Sequence, residues 1–208
     1  NILVECAEDI RQKDIYFVSS NTHSIANMLT GYALRKEEEL VDFLHTKENQ
    51  PLLDEWNRIE KKELSASREN VLYYVLKKTP EGAYTIQEQK DEEREKGIIR
   101  VASTQTFDIE AQIIDLSLID FDHCDQRIKT DDMRYLKNSE SYIFNIDYPL
   151  GMAAFNILSK LSEQFEKIKG IYIMGKAASL NGVHGDVIIP SVIHDIQSEN
   201  TYFFQNAF

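Results

Sequence analysis

The sequence is poor in the residues that form disulfide bonds, zinc sites and membrane helices. Its 208 residues include two cysteines, Cys6 and Cys124, and neither belongs to a CxxC pair or has zinc-ligand spacing to a histidine, which excludes a disulfide framework and leaves no zinc motif. No apolar run reaches the roughly 18 residues that a membrane helix needs, and nothing resembles a signal peptide. The sequence therefore predicts a soluble, cytoplasmic protein with no membrane partner.

Basic residues are scarce relative to acidic ones. The chain has 23 Lys and Arg against 35 Asp and Glu, a formal net charge of −12. A field of this sign repels phosphate backbones and anionic lipid headgroups. We therefore expect no non-specific nucleic-acid binding, whereas a small anionic ligand in a local basic pocket is compatible with this charge.

The two ends of the sequence are unusual. The chain begins with Asn1 rather than Met and ends at Phe208 inside an apolar, aromatic run. Natural termini are usually polar and frayed. We therefore expect a piece of a longer chain or a processed product, with a fold that is incomplete at its C-terminus.

The first recognisable unit is a strand followed by a helix. Residues 14–18 form a short run rich in β-formers, and residues 19–22 have turn and N-cap chemistry. Apolar residues then recur at helical spacing: Ile25, Met28, Leu29 and Tyr32. Such a junction is a natural anion site, because unpaired backbone N–H groups and the helix dipole favour negative charge there.

The middle of the chain predicts helices and charged connections. Residues 35–82 are rich in helix formers and predict a helical insertion or cap, in which Trp56 is interpreted as a packing residue. The charge run at 88–95 predicts a solvated, mobile connection. Residues 120–127 are rich in acids but match no metal-loop spacing. We therefore expect a surface loop or salt-linked turn at 120–127 rather than a metal site.

The last third predicts strands on either side of a helix. In chain order its segments are a strand and Pro-Leu-Gly turn over 141–151, an amphipathic helix over 151–168 ended by Lys169 and Gly170, a buried strand over 171–174, and a further strand over 187–190. A strand, helix and strand in this order imply a parallel crossover. Together with the earlier segments they predict a single α/β domain over 1–208, a three-layer, mostly parallel mixed sheet flanked by helices, with the helical insertion at 35–82.

The small-residue corner after the strand at 171–174 is the best candidate site of the sequence. It consists of Gly175, Lys176, Ala177 and Ala178. Small residues let backbone N–H groups approach a ligand, and Lys176 brings a cation that suits phosphate to the carboxyl end of a strand. The alternative is equally compatible with the spacing: a tight turn at Gly175 with Lys176 in solvent.

Three segments resemble the nucleoside phosphorylase and nucleosidase superfamily, in the order in which the family has them. IYIMGKAASLNGVHGDVIIPSVIHD at 171–195 is similar to its central segment, YIFNIDYPLGMAAFNIL at 142–158 to the strand, glycine turn and helix before it, and IYFVSSNTHSIANMLTG at 15–31 to its first strand and phosphate loop. The resemblance implies cleavage of the N-glycosidic bond of a nucleoside or nucleotide, by phosphate or by water. It implies no cofactor other than inorganic phosphate as the co-substrate of phosphorolysis, and a homodimer or higher oligomer, because the family's active sites lie near subunit interfaces.

The resemblance also implies where the ligand binds. Ser20 and His23 lie in the first loop, Gly151 in the glycine turn, and the corner 175–178 in the second loop. This chain departs from the family pattern in having His23 in place of an arginine, Lys176 in place of a serine or threonine, and Ala178 in place of the second glycine. The acids that the family places further downstream have no counterpart here, so no catalytic residue is assigned.

Two functions follow from these departures. The first is an enzyme whose anion pocket uses Lys176, His23 and backbone amides near Gly151, with the substrate's own phosphate as one possible anion. The second is a catalytically inactive nucleotide-binding or partner-binding module, in which the helices at 35–78 serve a partner. A third interpretation treats the resemblance as a coincidence of α/β patterning.

Overall fold

A computed structural model describes residues 10–80, 84–101, 109–130, 132–149, 151–183 and 185–206. Parts of several predicted features, including Cys6, the end of the insertion at 81–82, and Phe208, lie outside these ranges. The chain divides into two compact units, Asn1–Met174 and Gly175–Phe208.

The first unit contains a five-stranded mixed sheet. Its strands are β1 (Asp14–Ser20), β2 (Ile98–Val101), β3 (Ala111–Asp115), β4 (Ser141–Asp147) and β5 (Lys167–Ile173), in the order β2-β3-β4-β1-β5. β1 pairs in parallel with β4 and β5, whereas β3 is antiparallel to both of its neighbours. The predicted α/β class, the mixed sheet and the parallel crossover from β4 to β5 are therefore confirmed.

Helices surround this sheet. They are α1 (Thr22–Thr30), α2 (Tyr32–Arg35), α3 (Glu37–Leu44), α4 (Gln50–Glu60), α5 (Arg68–Lys78), α6 (Tyr84–Glu95) and α7 (Gly151–Gln164). The predicted junction after β1 is confirmed: Asn21 caps α1, and its side chain accepts a hydrogen bond of 2.7 Å from the N–H of Ser24.

The two faces of the sheet carry different helices. On one face, Leu161 of α7 and Phe165, the residue after this helix, pack against Ile15 and Phe17 of β1. On the other face, Ala26 and partly buried neighbours of α1 pack against the inner strands. Helices α1 and α7, which follow the adjacent strands β1 and β4, therefore lie on opposite faces.

The helices between Tyr32 and Lys78 have a hydrophobic cluster of their own. Trp56 is buried in it, and the guanidinium of Arg68 lies 5.2 Å from the centre of the Trp56 ring. The predicted packing role of Trp56 is confirmed. Tyr32 connects this cluster to α6, because its hydroxyl donates 2.7 Å to Glu88.

Residues 120–127 form a loop whose acids are paired within the protein. The buried carboxylate of Asp125 accepts a hydrogen bond of 2.5 Å from the hydroxyl of Tyr73 and one of 2.6 Å from Nη2 of Arg127. The loop also docks on α1, since the N–H of Asp125 donates 2.8 Å to the carbonyl of Met28. The interpretation as a salt-linked turn is confirmed.

The Asp125 pairing predicts a loss of stability in acid. Burial alone would raise the pKa of Asp125, but hydrogen bonds from Arg127 and Tyr73 hold this pKa below its usual range. Its contribution is therefore present above the unfolded-state pKa of about 3.9 and is lost as the pH falls through the folded-state pKa. We expect Asp125→Asn to lower the free energy of unfolding by about 1–3 kcal/mol at pH 7, and this difference to shrink in acid. Urea titrations across pH measure it.

The matched control is Asp122→Asn in the same loop. The Asp122 side chain is 83% exposed and its oxygen lies 3.9 Å from Lys129, so its replacement should change stability little at any pH. A constant difference between the wild type and Asp125→Asn down to pH 3 would contradict the pairing.

The predicted mobile connection at 88–95 is wrong. These residues belong to α6, and Gln89 and Glu93 are buried. The physical reason is that Glu93 pairs with Arg100 of β2 at 2.6 Å, so that one side of the charge run is held against the sheet.

In the last third, two boundaries and the burial of one strand differ from the prediction. The strand predicted as buried is β5, which lies at the edge of the sheet, so that Ile171 and Ile173 are exposed. The helix ends at Gln164, and β5 already begins at Lys167, so Lys169 and Gly170 lie inside a strand and form no helix cap. The reason is sheet pairing: Ile168 lies opposite Ile15 of β1.

Residues 187–190 form no strand. The second unit instead contains a hairpin of β6 (Val192–Asp195) and β7 (Asn200–Phe203). Pro190 lacks the N–H that a strand ladder uses, which explains why pairing begins after it. None of the described side chains from Gly175 onwards is buried.

Candidate functional site

A row of polar residues crosses one face of the sheet. Arg100 on β2 lies opposite Gln112 on β3, and Gln112 lies opposite Asn145 on β4. Residues opposite each other in paired strands share a face of the sheet. The next positions on this face, two residues towards the start of β4, are Ile98, Ile114 and Ile143. They pack in the hydrophobic cluster with α1. The face therefore changes from apolar to polar towards the carboxyl end of β4.

Hydrogen bonds join this row to β1. The hydroxyl of Ser20 donates a hydrogen bond of 2.8 Å to Oδ1 of Asn145, and Nδ2 of Asn145 donates one of 3.3 Å to Oε1 of Gln112. All three residues are buried. We call Ser20, Asn145, Gln112 and Arg100 the polar row.

The amide nitrogen of Gln112 has no acceptor. Gln112 is 0% exposed, and within the described ranges its Nε2 makes no hydrogen bond. An unpaired buried donor costs about 1–3 kcal/mol, and such a group calls for a specific explanation. Arg100, its neighbour on β2, carries only donors and cannot satisfy it. Within the described ranges, this nitrogen is therefore a buried donor without an acceptor.

The Arg100 end of the row is saturated with carboxylates. Nε and Nη2 of Arg100 donate hydrogen bonds of 2.6 and 2.8 Å to the two carboxylate oxygens of Glu93. Nη1 donates a hydrogen bond of 2.5 Å to Glu110. Gln89 donates a further hydrogen bond of 2.7 Å to Glu93. Two carboxylates thus share this guanidinium, and the local charge at this end is negative.

The row lies at the edge of the sheet where open α/β proteins bind ligands. Because the helices after β1 and β4 lie on opposite faces, the carboxyl ends of these adjacent strands form a topological switch point. At this point the backbone N–H of Thr22, which begins α1, donates a hydrogen bond of 3.2 Å to Oδ1 of Asp147, the last residue of β4. Tyr148 follows Asp147 in a left-handed conformation, φ 37°, with its side chain half-exposed. A non-glycine residue at positive φ is uncommon and often marks a functional site.

The structure places Ser20 in the polar row and gives His23 a different environment from the predicted one. Nε2 of His23 lies 2.5 Å from the carbonyl oxygen of Tyr73, so this nitrogen carries the proton and donates. Burial lowers the pKa of His23, and the positive charge of Arg100 contributes in the same direction. The imidazole is therefore neutral near pH 7 and brings no positive charge to the loop.

The remaining residues predicted for the anion pocket fall into two groups. Gly151 begins α7 and is exposed. Gly175, Lys176, Ala177 and Ala178 begin the second unit and are all exposed. An anion pocket built from both groups stays a prediction.

The sequence reasoning missed Gln112, Asn145, Arg100, Asp147 and Tyr148. Asn145 and Gln112 each interrupt an apolar strand with an amide, and this interruption was the available signal. Within the described ranges, no cluster of His, Cys, Asp and Glu side chains could hold a metal ion, and no helix has the length and apolar character needed to cross a membrane.

Comparison with known proteins gives a family and no close relative. A family model described as a family of unknown function, DUF6909, matches residues 1–208. No curated protein and no solved structure matches the chain. The chain, with its mixed sheet and buried polar row, therefore belongs to the DUF6909 family.

Proposed function

We propose that the chain binds a nucleoside or nucleotide at the carboxyl ends of β1 and β4 and cleaves its N-glycosidic bond. The observation that carries the proposal is the unpartnered, fully buried Nε2 of Gln112 at the switch point. The three segments that resemble the nucleoside phosphorylase and nucleosidase superfamily support the choice of ligand, and two of them contain β1 and β4.

The groups at this edge suit the parts of a nucleoside. Nucleobases carry ring nitrogens and carbonyl oxygens that accept hydrogen bonds, which the Gln112 amide donates. The half-exposed ring of Tyr148 offers a surface on which a planar base can stack. The carboxylate of Asp147 would bind sugar hydroxyls and stabilise positive charge that develops on the sugar in the transition state.

A non-catalytic binding module is the second candidate. It is favoured by the pairing of the carboxylates at this edge: Glu93 and Glu110 bind Arg100, and Asp147 accepts from Thr22. Because these three carboxylates all accept hydrogen bonds from protein donors, none of them is a free acid that could protonate a leaving base, as this cleavage requires.

Incubation of the purified chain with a panel of purine and pyrimidine nucleosides and their monophosphates separates the two candidates. Each is incubated with and without inorganic phosphate, and free base is measured by chromatography. Release of base supports the enzyme. Binding of a nucleoside without release of base would leave the binding module.

Gln112→Met tests the site itself. Methionine has a similar size but no donor, so we expect at least a tenfold loss of nucleoside affinity in a calorimetric titration. The melting temperature should change little. The substitution removes the unpaired donor of Gln112, but it also removes the oxygen that accepts the 3.3 Å hydrogen bond from Nδ2 of Asn145, so one unpaired donor replaces another.

The control is Gln87→Met on the exposed side of α6, where the glutamine amide reaches only Asp91, at 3.0 Å. It should leave affinity unchanged. Equal affinity in the wild type and Gln112→Met would remove the polar row as the binding site.

A further inference from the structure

We infer that this edge selects uncharged nucleosides and rejects their phosphorylated forms. The inference rests on the proposed function and names the substrate class of the same site. Its basis is the state of three positions at this edge. Protein acceptors bond two N–H groups at the first and the guanidinium at the third, and the side chain at the second is neutral.

The first of these positions is the N-terminus of α1. Backbone N–H groups at a helix N-terminus attract anions. Here the N–H of Thr22 is bonded to Oδ1 of Asp147, and the N–H of Ser24 to Oδ1 of Asn21. A phosphate arriving at this position would displace a carboxylate of the same sign or lie beside it.

The second position is His23. In the first loop this residue stands where the resemblance expects a cationic phosphate ligand. Its burial lowers its pKa, and its Nε2 proton is donated to the carbonyl of Tyr73. Lys77 also influences His23, but its side chain is exposed at the end of α5.

The third position is the polar row. Its cation, Arg100, is bonded to Glu93 on two nitrogens and to Glu110 on the third. With Asp147 at the end of β4, the carboxylates exceed the guanidinium charge at this edge. What remains unpaired is the neutral donor of Gln112, which suits a carbonyl oxygen or a ring nitrogen of an uncharged ligand.

The test compares adenosine with adenosine monophosphate, and uridine with uridine monophosphate, in calorimetric titrations of the full chain at low ionic strength. We expect each nucleoside to bind at least tenfold more tightly than its monophosphate. Asp147→Asn removes one negative charge and keeps an acceptor for Thr22. It should strengthen monophosphate binding and so reduce the ratio of nucleoside affinity to monophosphate affinity several-fold, whereas Asp122→Asn should leave this ratio unchanged.

Each outcome has a distinct meaning. Equal or tighter binding of the monophosphates overturns the inference and leaves the proposed function standing, and loss of that binding in Lys176→Ala would assign the phosphate to Lys176. An unchanged ratio in a folded Asp147→Asn protein also overturns it. Inorganic phosphate that displaces a bound nucleoside in the wild type contradicts it without any variant. A nucleoside preference without release of base would support the inference while removing the catalytic function, and binding of neither ligand would overturn both.

Discussion

Replacing Arg100 with methionine is expected to lower the free energy of unfolding by about 3–5 kcal/mol, the usual cost of removing one partner of a buried ion pair. Glu93 has a side chain that is 1% exposed and depends on two nitrogens of Arg100. Without the guanidinium, this carboxylate retains the amide of Gln89 as a partner but loses its charge compensation. Urea denaturation at pH 7 gives the difference.

A double variant separates the charge effect from a loss of packing. Adding Glu93→Gln to Arg100→Met removes the uncompensated charge. The double variant should therefore be roughly 0.5–3 kcal/mol more stable than the sum of the two single-variant losses predicts. A loss below about 1 kcal/mol in Arg100→Met would mean that this pair does not hold α6 on the sheet, since exposed ion pairs contribute about that much.

The second large effect is expected at Gly31, which ends α1. Gly31 has φ 64°, and a Cβ atom built there would lie 1.9 Å from the carbonyl oxygen of His123. The left-handed conformation costs an L residue about 1–2 kcal/mol, and the contact is with backbone, which cannot rotate away. We expect Gly31→Ala to lower the free energy of unfolding by roughly 2–4 kcal/mol, near the upper end of the usual range for single substitutions.

Gly151 provides the matched control for this substitution. It begins α7, and a Cβ atom there would meet nothing within 4 Å. Gly151→Ala should be neutral or slightly stabilising, because alanine favours helix and restricts the unfolded chain. If the two alanine variants melted at the same temperature, the docking of residues 120–127 on α1 would be refuted.

The elements with strong local patterns were predicted correctly, and those that depend on distant partners were not. The strand at 14–18, the cap before α1 and the strand at 141–147 follow from side chains that are neighbours in sequence. The run at 88–95 was misjudged because the burial of Glu93 depends on Arg100, which arrives on another strand. The end of α7 was misplaced because residues 165–168 also fit a helical spacing, and pairing with β1 decides the outcome.

The candidate site was predictable in its location but not in its composition. The strand–helix junction indicated the loop after β1, and the resemblance indicated Ser20 within it. The polar row was missed because Arg100, Gln112 and Asn145 become neighbours only through the register of three strands. The neutral state of His23 depends on burial, which outweighs the opposite effect on its pKa of the hydrogen bond to the Tyr73 carbonyl, fifty residues away along the chain.

The most direct test of the binding site is a nuclear magnetic resonance titration of the side-chain amide of Gln112. Its two proton signals are assigned by their disappearance in Gln112→Met, and adenosine is then added to the ¹⁵N-labelled wild-type chain. The structure predicts that these signals shift strongly and in a saturable way, because Nε2 gains its first acceptor. Saturable binding of adenosine that leaves the Gln112 amide signals unmoved would contradict the assignment of the polar row as the ligand site.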